Sequence, residues 1–182
     1  MNAIEVVPGV AGRMQPVRLT TSAHDVKDEA GHMWSADRFV TGGQVLTELG
    51  LAEGAALQRL YGFARFGHFT YTIPVALNGT YSVRLLFREH HFGPGRPGGG
   101  DVGRRVFNVQ CNGESLLRDF DLLAEGPPLK LIERVFRGVR PNAQGKIILQ
   151  FVPVRNYAIV NAIEVLDQSP PQGQRSLTVA AR

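Results

Sequence analysis

Between residues 69 and 87 the side chains alternate with period two on both sides of an Asn-Gly pair. Phe69, Tyr71, Ile73 and Val75 interleave with Thr70 and Thr72, and Tyr81, Val83, Leu85 and Phe87 repeat the pattern after Asn78-Gly79. A strand collects such a set on one face, so the pattern reads as half-buried β-structure. Pro74 sits near the end of the first run, where a strand tolerates it. The Asn-Gly pair between two such runs is a hairpin signal. Phe107, Val109 and Cys111 alternate into a second Asn-Gly, Asn112-Gly113, and the chain returns through Leu116 and Leu117. Ile147, Leu149 and Phe151 follow the turn at Gln144-Gly145-Lys146. A last strand carries Tyr157, Ile159, Asn161, Ile163 and Val165 on one face, and a buried Asn161 would need hydrogen-bond partners inside the core. Only Gln44 to Leu60 hints at helix, through Leu46, Leu49 and Leu57, and Gly50 and Gly54 interrupt it. Many short strands with abundant Gly (21) and Pro (11) between them give an all-β fold. The expected architecture is an antiparallel β-sandwich, a jelly roll of galactose-binding-like build, with short helical segments in loops.

The 182 residues suit one domain with tails and bury a sizeable core. At 43% hydrophobic and 20% charged the composition is that of an ordinary globular protein. Arg outnumbers Lys 17 to 3 at a net charge of +4. Arg offers a planar donor fork suited to polyols, carboxylates or phosphates, although the same excess arises from genome composition. The arginines are scattered, with only Arg104-Arg105 adjacent, so no basic run argues for nucleic acid. The single cysteine, Cys111, excludes an intrachain disulfide and reads as a small buried hydrophobe. No apolar run approaches ~18 residues, so no membrane partner is expected.

Asn2 to Val6 recurs verbatim as Asn161 to Val165. The segment 1–14 is therefore read as the last strand of a preceding repeat, or else as a native first strand. Residues 15–167 form the domain. Residues 168–182 begin with the linker-like Gln168 to Gln174 and end as a tail.

An ordered series of motifs resembles the malectin-like carbohydrate-binding domains from about Val17 to Leu166. It comprises Trp34 to Phe39 with Gly42-Gly43, then Leu60 to Gly67 with Arg65-Phe66 where the family has Arg-Tyr. Asn78 to Leu85 and Phe87-Arg88-Glu89 follow, the latter in place of Phe-Ala-Glu. Gly103 to Val109, Asn112-Gly113, Asp119-Phe120-Asp121 and Asn161 to Val165 complete it. The resemblance implies a non-catalytic module, a bacterial member attached to further domains of a larger protein. Its implied partner is an oligo- or polysaccharide, glucose-containing glycans favoured, with no cofactor. The ligand class in turn implies an extracellular, periplasmic or cell-surface location.

The same resemblance carries sugar contacts onto Phe66, His91, Phe92 and Asn156, with Phe39 standing in for an early tyrosine. Arg65 and His90 are added as polar rim. A pyranose has an apolar C–H face that a flat ring covers, and hydroxyls that Arg, Asn and His read by hydrogen bonds. Asn156 replaces the family's acidic contact, so the apolar floor survives while the polar code differs. Each residue also has a plain structural role open to it: Phe66 and Phe92 as core, Arg65 as a brace to a carboxylate, Asn156 as a turn residue. His90 and His91 are consecutive at a strand end and point to opposite faces. Glu89 and His91 share a face, and a metal reading would draw on His24, His32 or His68 to join them. No spacing matches a recognised zinc pattern, so no metal site is assigned. The loop Gly93 to Gly103 lacks the Gly-Lys-Ser/Thr of a phosphate loop; it reads as a flap beside the site or as a tolerated insertion.

A glycoside hydrolase is the competing class. Asp119 and Asp121 lie two apart on a strand, ~6.5 Å by strand rise, within the roughly 5–9.5 Å of glycosidase pairs. A catalytic pair normally comes from separate elements across a cleft, so these carboxylates are expected to brace structure. A protein-interaction or spacer module is the third class.

Overall fold

The computed structural model describes residues 13–47 and 60–170. Twelve strands run in order: β1 Val17–Thr20, β2 Val26–Lys27, β3 Met33–Trp34, β4 Val40–Thr47, β5 Phe63–Pro74, β6 Tyr81–Phe87, β7 Val106–Cys111, β8 Glu114–Asp121, β9 Ile132–Val139, β10 Lys146–Arg155, β11 Ala158–Val160 and β12 Ala162–Asp167. They build an antiparallel sandwich. One sheet has the order β1-β12-β6-β9; the other runs β11-β5-β10-β7-β8, with β4 on the remaining side of β5. The small pair β2-β3 lies outside both.

The alternation explains the core. Phe69, Tyr71 and Ile73 of β5, Phe107 and Val109 of β7 and Ile147, Leu149 and Phe151 of β10 meet Val83, Leu85, Phe87, Ile163 and Val165 of the facing sheet. Phe69 and Phe151 stack at 4.6 Å. A second, smaller cluster covers the back of the four-stranded sheet: Leu86 and Ala162 lie beneath Trp34, Val26, Leu60 and Tyr61. That is why β6 is buried on both faces while β9 alternates. The Trp34 indole N–H donates to Asp28 at 2.9 Å, so its polar edge is satisfied.

Asn112-Gly113 makes the expected hairpin, joining β7 to β8 with both residues at positive φ (50° and 88°). Asn78-Gly79 does not. β5 and β6 lie in different sheets, and neither Asn78 nor Gly79 has positive φ, so the primed turn of a hairpin is absent. The chain instead bends between the sheets, with Gly79 N–H donating to Ala76 O and the Tyr81 hydroxyl returning to the same carbonyl at 2.9 Å. The helical expectation over Gln44 to Leu60 also changes. Gln44 to Thr47 belong to β4, Leu60-Tyr61 are the only helical residues described, and 48–59 lie outside the described residues. The copy at Asn2 to Val6 and the tail from Pro171 lie outside them too.

The expected final strand is two strands in two sheets. Ala158–Val160 pair with β5, and Ala162–Asp167 pair with β6 and β1. Asn161 stands at the crossing. Its Oδ1 accepts from Arg88 N–H (2.7 Å), and its Nδ2 donates to Phe63 O (2.7 Å) and meets His90 Nε2 (2.9 Å). Its own N–H and C=O bond Leu86 O and Thr21 N–H. A fully buried amide can sit there because every polar group on it is used.

The loop cleft and its walls

The cleft is built from three chain segments. The first is β5 near Phe66. β4 pairs Gly42 with Phe69 and Gln44 with Phe66, so β5 carries an extra residue across Gly67-His68. The bulge resets the alternation, and Phe66 stands half-buried at the core margin. Gly42 and Gly43 are required opposite it. Both have positive φ, and a Cβ would fall 2.6 Å from His68 O or 2.8 Å from Phe66 O.

The second segment is the loop after β6. Glu89 is buried, and its Oε1 accepts the backbone N–H groups of His91 (2.9 Å) and Phe92 (3.1 Å). Arg105, buried at the start of β7, clamps Glu89 with Nε at 2.5 Å and Nη2 at 3.0 Å. The remaining guanidinium nitrogen reaches into the third segment, the β10–β11 turn, and donates to Tyr157 O at 2.6 Å. One buried ion pair thus fixes the backbone of His91, Phe92 and Tyr157 together. The guanidinium also lies 4.9 Å from the Phe92 ring centroid.

The result is a cleft of about 440 Å³ lined by Leu46, Phe66, His91, Phe92, Arg105, Asn156, Tyr157 and Ile159. Phe66 and Tyr157 meet edge to face at 5.7 Å, as do His91 and Phe92 at 4.8 Å. Tyr157 is 55% exposed, an aromatic held open to solvent rather than packed away. A smaller hollow of about 260 Å³, lined by Gly43, Gln44, Phe66, Gly67 and Tyr157, continues past that ring pair. A larger groove of about 660 Å³ lies between β8 and β9, beyond the far end of β7. Its lining includes Glu114, Leu116, Val135, Arg137 and Arg140, and its one ring, Phe136, packs on the core. Volume alone favours that groove, but the loop cleft concentrates the exposed rings.

Four of the seven residues singled out from sequence, Phe66, His91, Phe92 and Asn156, line the loop cleft. Three do not. Arg65 is a brace: its Nε and Nη2 both bind Asp37 (2.8 and 2.6 Å), its Nη1 binds Gly42 O, and the Tyr71 hydroxyl donates to the other Asp37 oxygen at 2.7 Å. His90 is 3% exposed, turned inward against Asn161 while its neighbour His91 faces out. Phe39 stands just before β4 at φ 62° with Arg38 over its ring, seven residues from Leu46 and ~23 Å from it by strand rise. Arg105, Tyr157, Leu46 and Ile159 are lining residues that sequence reasoning missed. Tyr157 was legible only as one more member of a buried strand face; the turn at Asn156-Tyr157 between β10 and β11 takes it out of the strand and frees it.

Asn156 adopts positive φ (56°), a conformation Asn tolerates, and its Nδ2 donates to Arg104 O. The glycine-rich loop is folded back on the site by turns. Gly98 N–H donates to His91 O at 2.8 Å, Gly93 N–H to Gly99 O at 2.9 Å, and Arg96 binds His90 O. Gly98 packs directly on the rings; a Cβ there would lie 2.5 Å from His91 Cδ2 and 2.7 Å from Phe92 Cδ1.

Asp119 and Asp121 do not form a pair. Asp119 has positive φ (48°), which breaks the alternation, and Asp121 accepts from the backbone of Gly103 and Leu123. Cys111 is buried, and burial pushes its thiol up to about 11, so it is no nucleophile. Among the described residues no three His, Cys, Asp or Glu side chains group as metal ligands, and no helix is long and apolar enough to cross a membrane.

Burial opposes ionisation of Glu89, but the hydrogen bonds and charge of Arg105, with the His91 and Phe92 N–H groups, hold it below its ordinary 4.5. Asp167, bonded by Met14 and Ser169 N–H groups, is also held low against its burial. A depressed carboxyl stabilises the fold above its unfolded-state value and loses that contribution as pH falls through the folded one. The contribution of these two carboxyls should therefore be level from neutrality to about pH 4.5 and fall below it. Urea midpoints at pH 7, 5 and 3 check this, with a flatter acid limb for Glu89→Gln; a midpoint rising toward pH 3 contradicts it.

An antiparallel sandwich with a ring-walled cleft among its loops defines a β-sandwich ligand-binding module. The chain belongs to the malectin domain family, whose model matches residues 17–163. No curated protein matches it. Among solved structures it resembles the plant receptor-like kinase ANX2 (19% identity, TM-score 0.68, 85% of this chain and 42% of that one). It also resembles a structure of the plant peptide RALF23 with FER and LLG2 (17%, 0.69, 85% and 48%) and a Bacteroides uniformis β-glucuronidase (16%, 0.65, 85% and 18%). These likenesses are of fold, and the chain spans less than half of each matched structure.

Proposed function

We propose that the protein is a non-catalytic carbohydrate-binding module that takes an oligo- or polysaccharide in the loop cleft. The observation that carries this reading is the convergence of Phe66, His91, Phe92 and Tyr157, from three distant segments, on one open cleft. Of these, His91 and Tyr157 are exposed and Phe66 is half-buried, while Phe92 is buried beneath Arg104 and Arg105 and backs the wall; accessible rings on a rigid frame offer a sugar's C–H face large contact at little entropic cost. Asn156, His91, the Tyr157 hydroxyl and Gln44 of the adjoining hollow supply directional hydrogen bonds for the rim. Among the described residues no carboxylate lines the cleft, whereas a glycosidase needs two across the scissile bond. The module works outside the cell, a reading supported by its likeness to plant receptor ectodomains.

A protein-interaction role has one observation in its favour, the similar fold in a structure of a peptide with FER and LLG2. A glycan array separates the two. Binding to at least one saccharide is expected, and Phe66→Ala or Tyr157→Ala should weaken the best hit by about ten-fold or more. Binding that ignores both substitutions overturns the cleft assignment. An array without hits favours the protein-interaction role.

A further inference from the structure

We propose that the outer face of the six-stranded sheet is a second binding surface, over which a neutral polysaccharide runs after it leaves the loop cleft. This rests on the carbohydrate reading above and deepens it: the ligand is a long uncharged chain. Alternation gives the face its members. β5, β10 and β7 send every second side chain into the core, so Thr70 and Thr72, Ile148, Gln150 and Val152, and Asn108 and Gln110 point outward. None of them is charged, whereas a sheet face turned to water is ordinarily dotted with charges. His68, beside the β5 bulge, and Lys146, at the start of β10, stand at the borders of this face. The facing sheet is the opposite case. Its outer row Arg18, Glu164 and Arg84 stands in register and is laced by ion pairs of 2.6 and 3.2 Å. One sheet thus carries a compensated charge ladder, and the other a neutral polar surface.

Strand register turns that surface into a track. Thr41 lies opposite Thr70, Thr70 opposite Gln150, and Gln150 opposite Gln110. The four make one row across the strands, ~14 Å long at the interstrand spacing. Asn108 is committed, its Oδ1 accepting from Asp119 N–H at 2.7 Å. Among the described residues the side chains of the row make no hydrogen bond to the protein, which leaves two amides and two hydroxyls unspent. An amide donates and accepts as a hydroxyl does, so the row answers sugar hydroxyls in either direction. It offers a polyanion no counter-charge, and it lacks the aromatic, Met and Arg anchors on which a protein partner would seat. The row also joins the cleft. Gly43 and Gln44 follow Thr41 on β4, and with Phe66, Gly67 and Tyr157 they line the hollow beyond the ring pair. Gly43 and Gly67 raise no side chain there, which leaves a way from the rings toward Thr41.

The test is isothermal titration of the whole chain with linear oligomers of glucose, mannose and xylose, each as trimer and hexamer. In at least one series the hexamer is expected to bind about ten-fold tighter than the trimer, because sugars beyond the cleft meet the row at high effective concentration. Gln110→Ala combined with Gln150→Ala should bring that ratio toward one and leave the trimer unchanged. Thr70→Val, which keeps the side-chain shape and removes only the hydroxyl, should lower the ratio about two-fold or more. Added salt should not alter the ratio, since no charge takes part. If trimer and hexamer bind alike and Tyr157→Ala abolishes both, the row is no part of the site while the carbohydrate reading stands. If the substitutions on the row leave the ratio unchanged, the face assignment is overturned. It is overturned equally if the chain self-associates and the paired Gln substitutions break the dimer. If no saccharide binds, both readings fail together.

Discussion

Replacing Arg105 with alanine is expected to cost about 3–5 kcal/mol of unfolding free energy. The substitution strands Glu89, whose side chain is only 2% exposed, as a buried carboxylate without a counter-charge. It also orphans Tyr157 O and removes a cation from the Phe92 ring. The loss should register as a lower urea midpoint and as a Tm drop of roughly 6–20 °C for a chain of this size. Replacing both partners, Glu89→Met with Arg105→Met, should recover part of the loss, because an apolar pair leaves no buried charge. If Arg105→Ala unfolds within 1 kcal/mol of the parent, the pair is not the anchor of the three loop segments.

Asn161→Leu is the second large effect. Leucine fills nearly the same volume but removes the bonds that Asn161 makes to Arg88 N–H, Phe63 O and His90 Nε2. Each buried polar group left unsatisfied costs about 1–3 kcal/mol, so a loss of about 3 kcal/mol or more is expected in chemical denaturation. The geometry adds a second readout. Asn161 joins the strand pairing with β5 to the strand pairing with β6, so the amides of Ala158–Val160 should lose hydrogen-exchange protection before those of β10. Retained protection there, at wild-type stability, contradicts the role given to Asn161.

Strands and core were legible in the sequence because side-chain alternation reports a face directly. Phe69, Tyr71 and Ile73, and equally Val83, Leu85 and Phe87, lie inward as their spacing predicts. What alternation does not report is which sheet a strand joins. Asn78-Gly79 resembled a hairpin turn although β5 and β6 belong to opposite sheets, and Asn161 divided what read as one strand. Both errors concern pairing, which tertiary contacts decide. The site was half legible for the same reason. Phe66, His91, Phe92 and Asn156 sit on motif positions, and motifs travel with the backbone. Arg65 and His90 are polar residues of equal chemical promise, but Asp37 and Asn161 draw them inward. Tyr157 gains its role from the β10–β11 turn, and Arg105 from reaching Glu89 sixteen positions away, neither of which a local pattern records.

The most direct measurement is a two-dimensional amide NMR titration with the tightest-binding saccharide from the array. The account predicts shift changes gathered at Phe66, His91, Phe92, Asn156 and Tyr157, with β8 and β9 unaffected. Changes gathered instead around Leu116, Val135 and Arg140, in the larger groove beyond the far end of β7, would contradict it.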